Sequence, residues 1–360
     1  MIVIDQKKQI AAEDFEALIL SLGLKESLMQ SNYIVIKPNF SAATRTSPET
    51  NCTSDLNLLL GVVSGIARLT PEKIIYIAES DGAAYEHAYE KFEKLGLEQL
   101  FNGDKATAAL NHAETANSES ASIKTANAGT LQFQNVRLLD LSRDRLELVT
   151  DPRYRYFRYR HRQLWLSSIL RNAGFVISMT NLKTHHLTGI SGACKNLFGV
   201  LPEMNKWQYH PDIDDVLHDL VLAVAPALSI VDGFCSMDQN GPIHGRPVNG
   251  AFRIWSDSAL EADLALCRAA GIGLRKVKHL GLLEATLGIS PQPITDQING
   301  SAVSIKLLPP TLFLRVCSRL GITLQRRGQR LQHFGHRIHN CHNKAALRYA
   351  LRPSKTPKKR

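Results

Sequence analysis

Phe175-Val176-Ile177-Ser178-Met179, followed from Asn181 to Gly199 by NLKTHHLTGISGACKNLFG, is the stretch on which the fold turns. The first five residues form a short apolar run of the kind found in strands buried on both faces. The segment after them gathers Lys183, Lys195, His185, His186, Cys194 and three glycines. In α/β proteins, polar residues collect in this way just past the carboxyl end of a parallel strand.

The same arrangement recurs along the chain. Tyr33 to Lys37 ends in Pro38-Asn39, Lys73 to Ala78 in Glu79-Ser80-Asp81-Gly82, and Leu228 to Val231 in Asp232-Gly233. Helical apolar spacing lies between these runs: over 13–30 with a break at Gly23, from an N-cap at Ser54 to Leu69, and from Ala84 to Leu95 before Gly96. Further helices are expected from Asp212 to about Val224 and around Asp263. Strand and helix alternating at these lengths predict an α/β fold. The sheet should be mostly parallel, with helices on both faces and a site at the strand carboxyl ends. Residues 1–300 would form this domain. A surface insertion rich in Ala, Thr, Ser and Asn is expected at 104–130, and residues 301–360 should be a helical basic extension.

Composition sets further limits. Of 360 residues, 44% are hydrophobic and 21% charged, which suits a globular domain with a sizeable core. No apolar run approaches the ~20 residues of a membrane-spanning helix. Asp5 interrupts the N-terminus before a signal peptide could form, so the expected location is cytoplasmic. Six scattered cysteines without C-x-x-C spacing argue against an iron–sulfur cluster or cysteine-held zinc within this chain. Residues 297–360 carry fourteen Lys or Arg and no Asp or Glu. Subtracting these from the net charge of +10 leaves −4 on residues 1–296. The basic segment 311–360, with a helix at 311–324 and His333, His336, His339 and His342 beyond it, points to an anionic membrane surface or nucleic acid as partner. Spaced three apart on a helix, two or three of those histidines could also share a metal.

Lys183 and Lys195 flank a loop containing Gly189 and Gly192, whose amides could approach an anion closely. A desolvated lysine could also act as a base or Schiff-base nucleophile. No phosphate-binding P-loop or G-x-G-x-x-G fingerprint is present, so nucleotide binding is not indicated. His185 and His186, adjacent on extended backbone, should point to opposite sides. Residues 151–165 alternate arginine with aromatics. An edge strand protected by charge is the preferred reading there, ahead of an anion site. Asp215, His218 and Asp219 share a helix face. Histidines with a carboxylate could hold a divalent transition metal (Fe, Mn, Ni or Zn), with His185, His210 and Asp232 as the expected ligands. Cys194 reads as packing rather than as a thiolate nucleophile.

Several of these segments occur together in a known order: Ile36-Lys37-Pro38-Asn39-Phe40, Glu79-Ser80-Asp81-Gly82, the Lys-Thr-His run with Gly192 to Gly199, Tyr209-His210, Val231-Asp232-Gly233 and Gly241-Pro242-Ile243-His244-Gly245. In this the chain resembles the domain-of-unknown-function 362 family over roughly residues 30–290. The resemblance favours His185 over His186 as the group facing the site. It implies a link to ferredoxin-like iron–sulfur modules, and this chain has no such module, so a redox role would need a separate redox partner. Motif and residues together suggest an enzyme for a small anionic metabolite, using acid–base or metal-assisted chemistry. Lys183, His185 and Lys195 would be catalytic. Lys37, Asn39, Asp81, Gly192 and Asn196 would hold the substrate, with His210 and Asp232 close by.

Overall fold

The computed structural model describes residues 1–46, 50–82, 85–101, 133, 135–159, 162–294 and 303–326. Its strands are β1 (Ile2–Asp5), β2 (Tyr33–Lys37), β3 (Ile75–Glu79), β4 (Val136–Asp140), β5 (Leu146–Val149), β6 (Leu164–Ser167), β7 (Gly174–His185), β8 (Gly189–Ser191), β9 (Leu228–Asp238), β10 (Arg246–Val248) and β11 (Arg253–Ser256). Nine of them form one sheet in the order β1-β11-β9-β7-β2-β3-β4, with β8 on β7 and β10 on β9. The run β9-β7-β2-β3-β4 is parallel, and β11 and β1 add an antiparallel edge.

Alternation along the strands divides the apolar side chains between two cores. Ile34, Ile36, Phe175, Ile177 and Met179 face the helices Ala12–Ser21 and Leu56–Leu69. Val35 and Val176 face the helices Ile213–Val224, Ala259–Ala269 and Lys278–Leu287. The expected mostly parallel sheet with helices on both faces is therefore present. Among the described residues no helix is long and apolar enough to cross a membrane.

Several local expectations need correction. Helix Leu56–Leu69 is capped by Asp55, whose carboxylate accepts from Asn57 N at 2.8 Å. Ser54 instead accepts from Asn39 N at 2.9 Å and donates to Met179 O at 3.2 Å, tying β2 to β7. β7 and β9 run well past the apolar runs, because β8 and β10 supply antiparallel partners beyond the parallel sheet. Lys183, His185 and Asp232 therefore lie on strand backbone rather than in loops. The Gly-rich turn begins only after His185.

Residues 151–159 are a string of turns, not an edge strand, and extended structure begins at Leu164. The reason is Asp219. Buried on helix Ile213–Val224, it accepts the backbone N–H groups of Arg155, Tyr156 and Phe157 at 2.7, 2.8 and 2.9 Å and contacts His218 Nδ1 at 2.8 Å. The arginines of this segment are engaged locally. Arg153 pairs with Asp151, Arg155 with Asp215, and Arg162 lies over the Tyr156 ring at 4.2 Å.

The expected boundary at 300/301 lies outside the described residues. Val303 and Ile305 are buried in the same core as helix Ala259–Ala269, and Leu308 N donates to Asp238 Oδ2 at 2.8 Å. A helix, Leu312–Arg326, follows. The expected insertion at 104–130 and the histidines beyond residue 326 lie outside the described residues.

Asp219 supplies a stability test. Asp219→Ala would leave three backbone donors and His218 without their acceptor in the core, at a cost on the order of 3 kcal/mol. Urea unfolding that shows less than about 1 kcal/mol of change would contradict this role for Asp219.

Candidate functional site

The order β4-β3-β2-β7-β9 reverses direction between β2 and β7. The helix after β2 covers one face of the sheet and those after β7 the other, so the carboxyl ends of these two strands form the topological switch point of the sheet, the place where α/β folds bind ligands. Amide side chains hold it together. Asn39 Nδ2 donates to Asn181 Oδ1 at 3.2 Å, and Asn196 Nδ2 donates to Lys37 O at 2.8 Å and to Ser178 Oγ at 3.1 Å. The expected substrate-binding residues Asn39 and Asn196 are thus braces between β2, β7 and the turn after β8.

Five lysines converge here. Lys37, Lys91, Lys183 and Lys206 are buried, and Lys195 is half-buried. Lys37 Nζ lies 3.0 Å from Glu79 Oε2, and Lys91 Nζ lies 3.9 Å from Glu79 Oε1. Lys91 also donates to Ser80 O at 2.8 Å, while Lys206 donates to Ser80 Oγ at 2.5 Å and Asp81 O at 2.6 Å. Lys183 donates to the carbonyl of Cys52. Lys195 sits over the Phe198 ring at 4.4 Å.

Among the described residues, Glu79 is the one carboxylate within ion-pair distance of any of these five ammoniums. Glu86 and Glu203 act on Lys91 and Lys206 from farther away, and their side chains are bonded to Thr44 and Tyr209. Even with both counted, positive charge remains in excess.

The protonation behaviour follows from burial and charge. Burial would raise Glu79, but Lys37, Lys91 and Lys206 outweigh it and hold its carboxyl at about 2. Burial brings Lys206 down to about 7; Lys91 pushes the same way and Glu79 opposes. Burial brings Lys195 to about 8, with Lys183 and Lys37 adding repulsion. Burial also lowers Lys183 and Lys37. A lysine titrating near neutral pH can both give and accept a proton there.

The remaining expected residues have other tasks. Asp263, fully buried on helix Ala259–Ala269, accepts from Ala193 N at 2.7 Å and Cys194 N at 3.0 Å. A Cβ on Gly192 would come within 2.0 Å of Asp263 Oδ1, so the glycine admits that carboxylate. The amides of Ala193 and Cys194, just past Gly192, are therefore satisfied by an internal carboxyl group. Burial, with Asp263 beside it, pushes the Cys194 thiol well above its usual range, in keeping with packing. Asp81 caps helix Ala88–Lys94 through Ala88 N at 3.0 Å and meets His87 and Arg143. It offers the site its backbone carbonyl rather than its carboxylate.

His185 and His186 do not point apart. The strand ends at His185, the backbone turns, and the two rings stack at 4.7 Å. His185 Nδ1 accepts from Leu187 N at 3.2 Å and Thr188 N at 3.3 Å. The neutral ring then carries its proton on Nε2, which leaves no lone pair for a metal. Burial and the neighbouring His186 and Lys195 hold its pKa well below 6.5. Asp232 is engaged by Arg253 Nε at 3.3 Å, and burial raises its pKa to about 6 despite that arginine. His210 packs against Trp207 and Phe198. Among the described residues no group of three or more His, Cys, Asp or Glu is placed to hold a metal ion. The set His185, His210 and Asp232 is thus not assembled as ligands.

Lys91, Lys206 and the pairing role of Glu79 were not foreseen. For Lys91 a signal existed: its spacing from Ala88, Phe92 and Leu95 puts it on the apolar face of a helix. Lys206, in an irregular segment, carried none.

A family model described as Domain of unknown function (DUF362) matches residues 34–268, well over half of the chain, and the chain belongs to that family. A thylakoid-associated protein of Synechocystis sp. is 35% identical over 91 residues, covering 23% of this chain and 28% of that relative's length. No solved structure matches.

Glu79 makes the cluster testable through pH. Its carboxyl lies at about 2 in the folded protein against 4.5 in the unfolded chain. The corresponding stabilisation, about 3 kcal/mol, is fully present above pH 4.5 and is lost as pH falls towards 2. Glu79→Gln should remove that acid dependence and destabilise the protein by about 3–5 kcal/mol at pH 7, because the ammoniums lose their counter-charge. Denaturant titrations of both proteins between pH 2 and pH 7 would reject this if the two profiles ran parallel.

Proposed function

We propose that this member of the family is an enzyme that binds a small anionic metabolite at the diverging ends of β2 and β7 and moves a proton on it through lysine. The observation that carries the reading is the excess of ammonium groups: four buried lysines and a half-buried fifth, with Glu79 alone at ion-pair distance among the described residues. Burying an uncompensated ammonium costs several kcal/mol. A site that keeps this excess becomes more stable when an anion arrives.

Lys195 is the accessible member. In its protonated form it meets the anion, with the charges of Lys183 and Lys37 behind it. With a pKa of about 8 it exists in both forms near neutral pH, so it can donate a proton to, or remove one from, the bound molecule. Lys206, at about 7, is a second group of the same kind. His185 serves as a neutral positioning residue whose Nδ1 fixes the turn at Leu187 and Thr188. The lysines carry the proposal rather than a divalent transition metal, because backbone amides occupy Nδ1 of His185 and, among the described residues, His185, His210 and Asp232 are not grouped to hold an ion.

The test is calorimetric binding of inorganic phosphate, pyrophosphate, malonate and citrate to the full chain. At least one should bind near pH 7 and lose about tenfold in affinity by pH 9.5 as Lys195 deprotonates. Lys195→Met should weaken that binding by about tenfold or more, whereas Lys195→Arg should keep binding, since arginine holds the charge but cannot give up its proton. Affinity that rises with pH, binding unaffected by Lys195→Met, or no binding to any of the four anions would sink the proposal.

A further inference from the structure

Four of the five lysines at the β2–β7 reversal have an acceptor for the ammonium group. Lys37 donates to Pro38 O and Glu79, Lys91 to Ser80 O, Lys183 to Cys52 O, and Lys206 to Ser80 Oγ and Asp81 O. Lys195 has none among the described residues, and its Nζ lies over the Phe198 ring, 4.4 Å from the centroid. Phe198 is itself buried and packs edge-on against Tyr209 at 6.3 Å.

An ammonium withdrawn from water needs an acceptor, whereas a neutral amine does not. Of the five positions, that of Lys195 therefore favours the amine most, and the amine is the nucleophilic form of lysine. Burial, with the repulsion of Lys183 and Lys37, accordingly brings its pKa to about 8.

The backbone beneath Lys195 is pinned on both sides. Asp263 accepts from Ala193 N and Cys194 N before it, and Asn196 Nδ2 donates to Lys37 O and Ser178 Oγ after it. Lys195 is thus a half-buried amine on a fixed turn, with the charges of Lys183 and Lys37 behind it. A desolvated lysine next to other cationic groups is an arrangement that activates amines for attack on carbonyl carbon.

We propose that Lys195 forms a Schiff base with an anionic carbonyl compound, a molecule in which a ketone or aldehyde stands close to a carboxylate or phosphate. The inference rests on the anion site proposed above and names its substrate class. The charges of Lys183 and Lys37 receive the anionic group and leave the carbonyl carbon to meet Nζ of Lys195.

The Nζ lone pair forms the bond to that carbon as the C=O bond breaks. The oxygen leaves as water, with one proton from Nζ and one from a neighbouring ammonium, the role we give to Lys183. An iminium ion on Lys195 and a neutral Lys183 remain, and no oxidant or reductant is consumed. The iminium draws electrons from the adjacent carbon, so that the Lys183 amine can take a proton from it.

Borohydride trapping tests this. The full chain is incubated at about pH 7.5 with pyruvate, oxaloacetate, 2-oxoglutarate or dihydroxyacetone phosphate, then reduced and followed by intact-mass spectrometry. At least one compound should add a single equivalent, mapped to Lys195 in a peptide digest. Its yield should exceed that from acetone, which has the carbonyl but no charge, by about tenfold or more. Lys195→Arg should abolish the adduct while still binding the simple anions, which also shows that the variant is folded. Anion binding without an adduct from any of the four compounds would overturn this inference and leave the anion site standing. Labelling of Lys183 or of scattered lysines, an equal yield from acetone, or an undiminished adduct in Lys195→Arg would overturn it as well. If no anion binds at all, both readings fall.

Discussion

The ion pair between Lys37 and Glu79 is the interaction on which the rest of the site depends. Glu79 ends β3 and Lys37 ends β2, neighbours in the parallel sheet, and both side chains are withdrawn from water. A carboxylate in that position would normally resist ionisation, yet three lysines keep it charged. In return it holds Lys37 at 3.0 Å and stands 3.9 Å from Lys91. Because one carboxylate cannot neutralise so many ammoniums, the cluster keeps a positive field that reaches Lys195 at its accessible edge.

That field is placed by close backbone approach. A Cβ on Gly199 would lie 2.9 Å from both Cε and Nζ of Lys37 and 3.3 Å from Glu79 Oε1. The glycine closing the central motif is thus what lets the turn after β8 rest on the ion pair. Ser80, through Gly199 O and Lys206 Nζ, ties the same turn to β3. Asp263 does comparable work at the start of the turn, where the amides of Ala193 and Cys194 close on its carboxylate. Fixed charges and fixed backbone leave the ammonium groups as the part of the site still able to respond to a ligand.

Much of this was legible before the structure. Unbroken apolar runs ending in polar residues announce a parallel sheet whose strand ends carry function, and Lys37, Asn39, Lys183, Lys195 and Asn196 all gather at the β2–β7 reversal. Roles were less legible than places. Asn39 and Asn196 are braces, Asp81 is a helix cap, and Gly192 makes room for Asp263, because an amide, a carboxylate or a glycine looks the same in sequence whether it meets a substrate or its own backbone. The stacked His185 and His186 follow from a strand that stops between them, and strand ends are the least predictable feature of a local pattern.

The sequence by itself determined what short-range chemistry controls: apolar periodicity fixed the α/β layering, and the absence of acids after Asp296 fixed the sign of the C-terminal segment. Tertiary structure alone decided which charges face one another. Lys37, Glu79, Lys91, Lys183, Lys195 and Lys206 come from six separate places along the chain, and their titration depends on short separations and on burial. It likewise decided which face of Leu312–Arg326 packs on the protein, where Leu314, Gly321 and Gln325 are buried, since an amphipathic sequence defines a stripe but only packing determines what meets it.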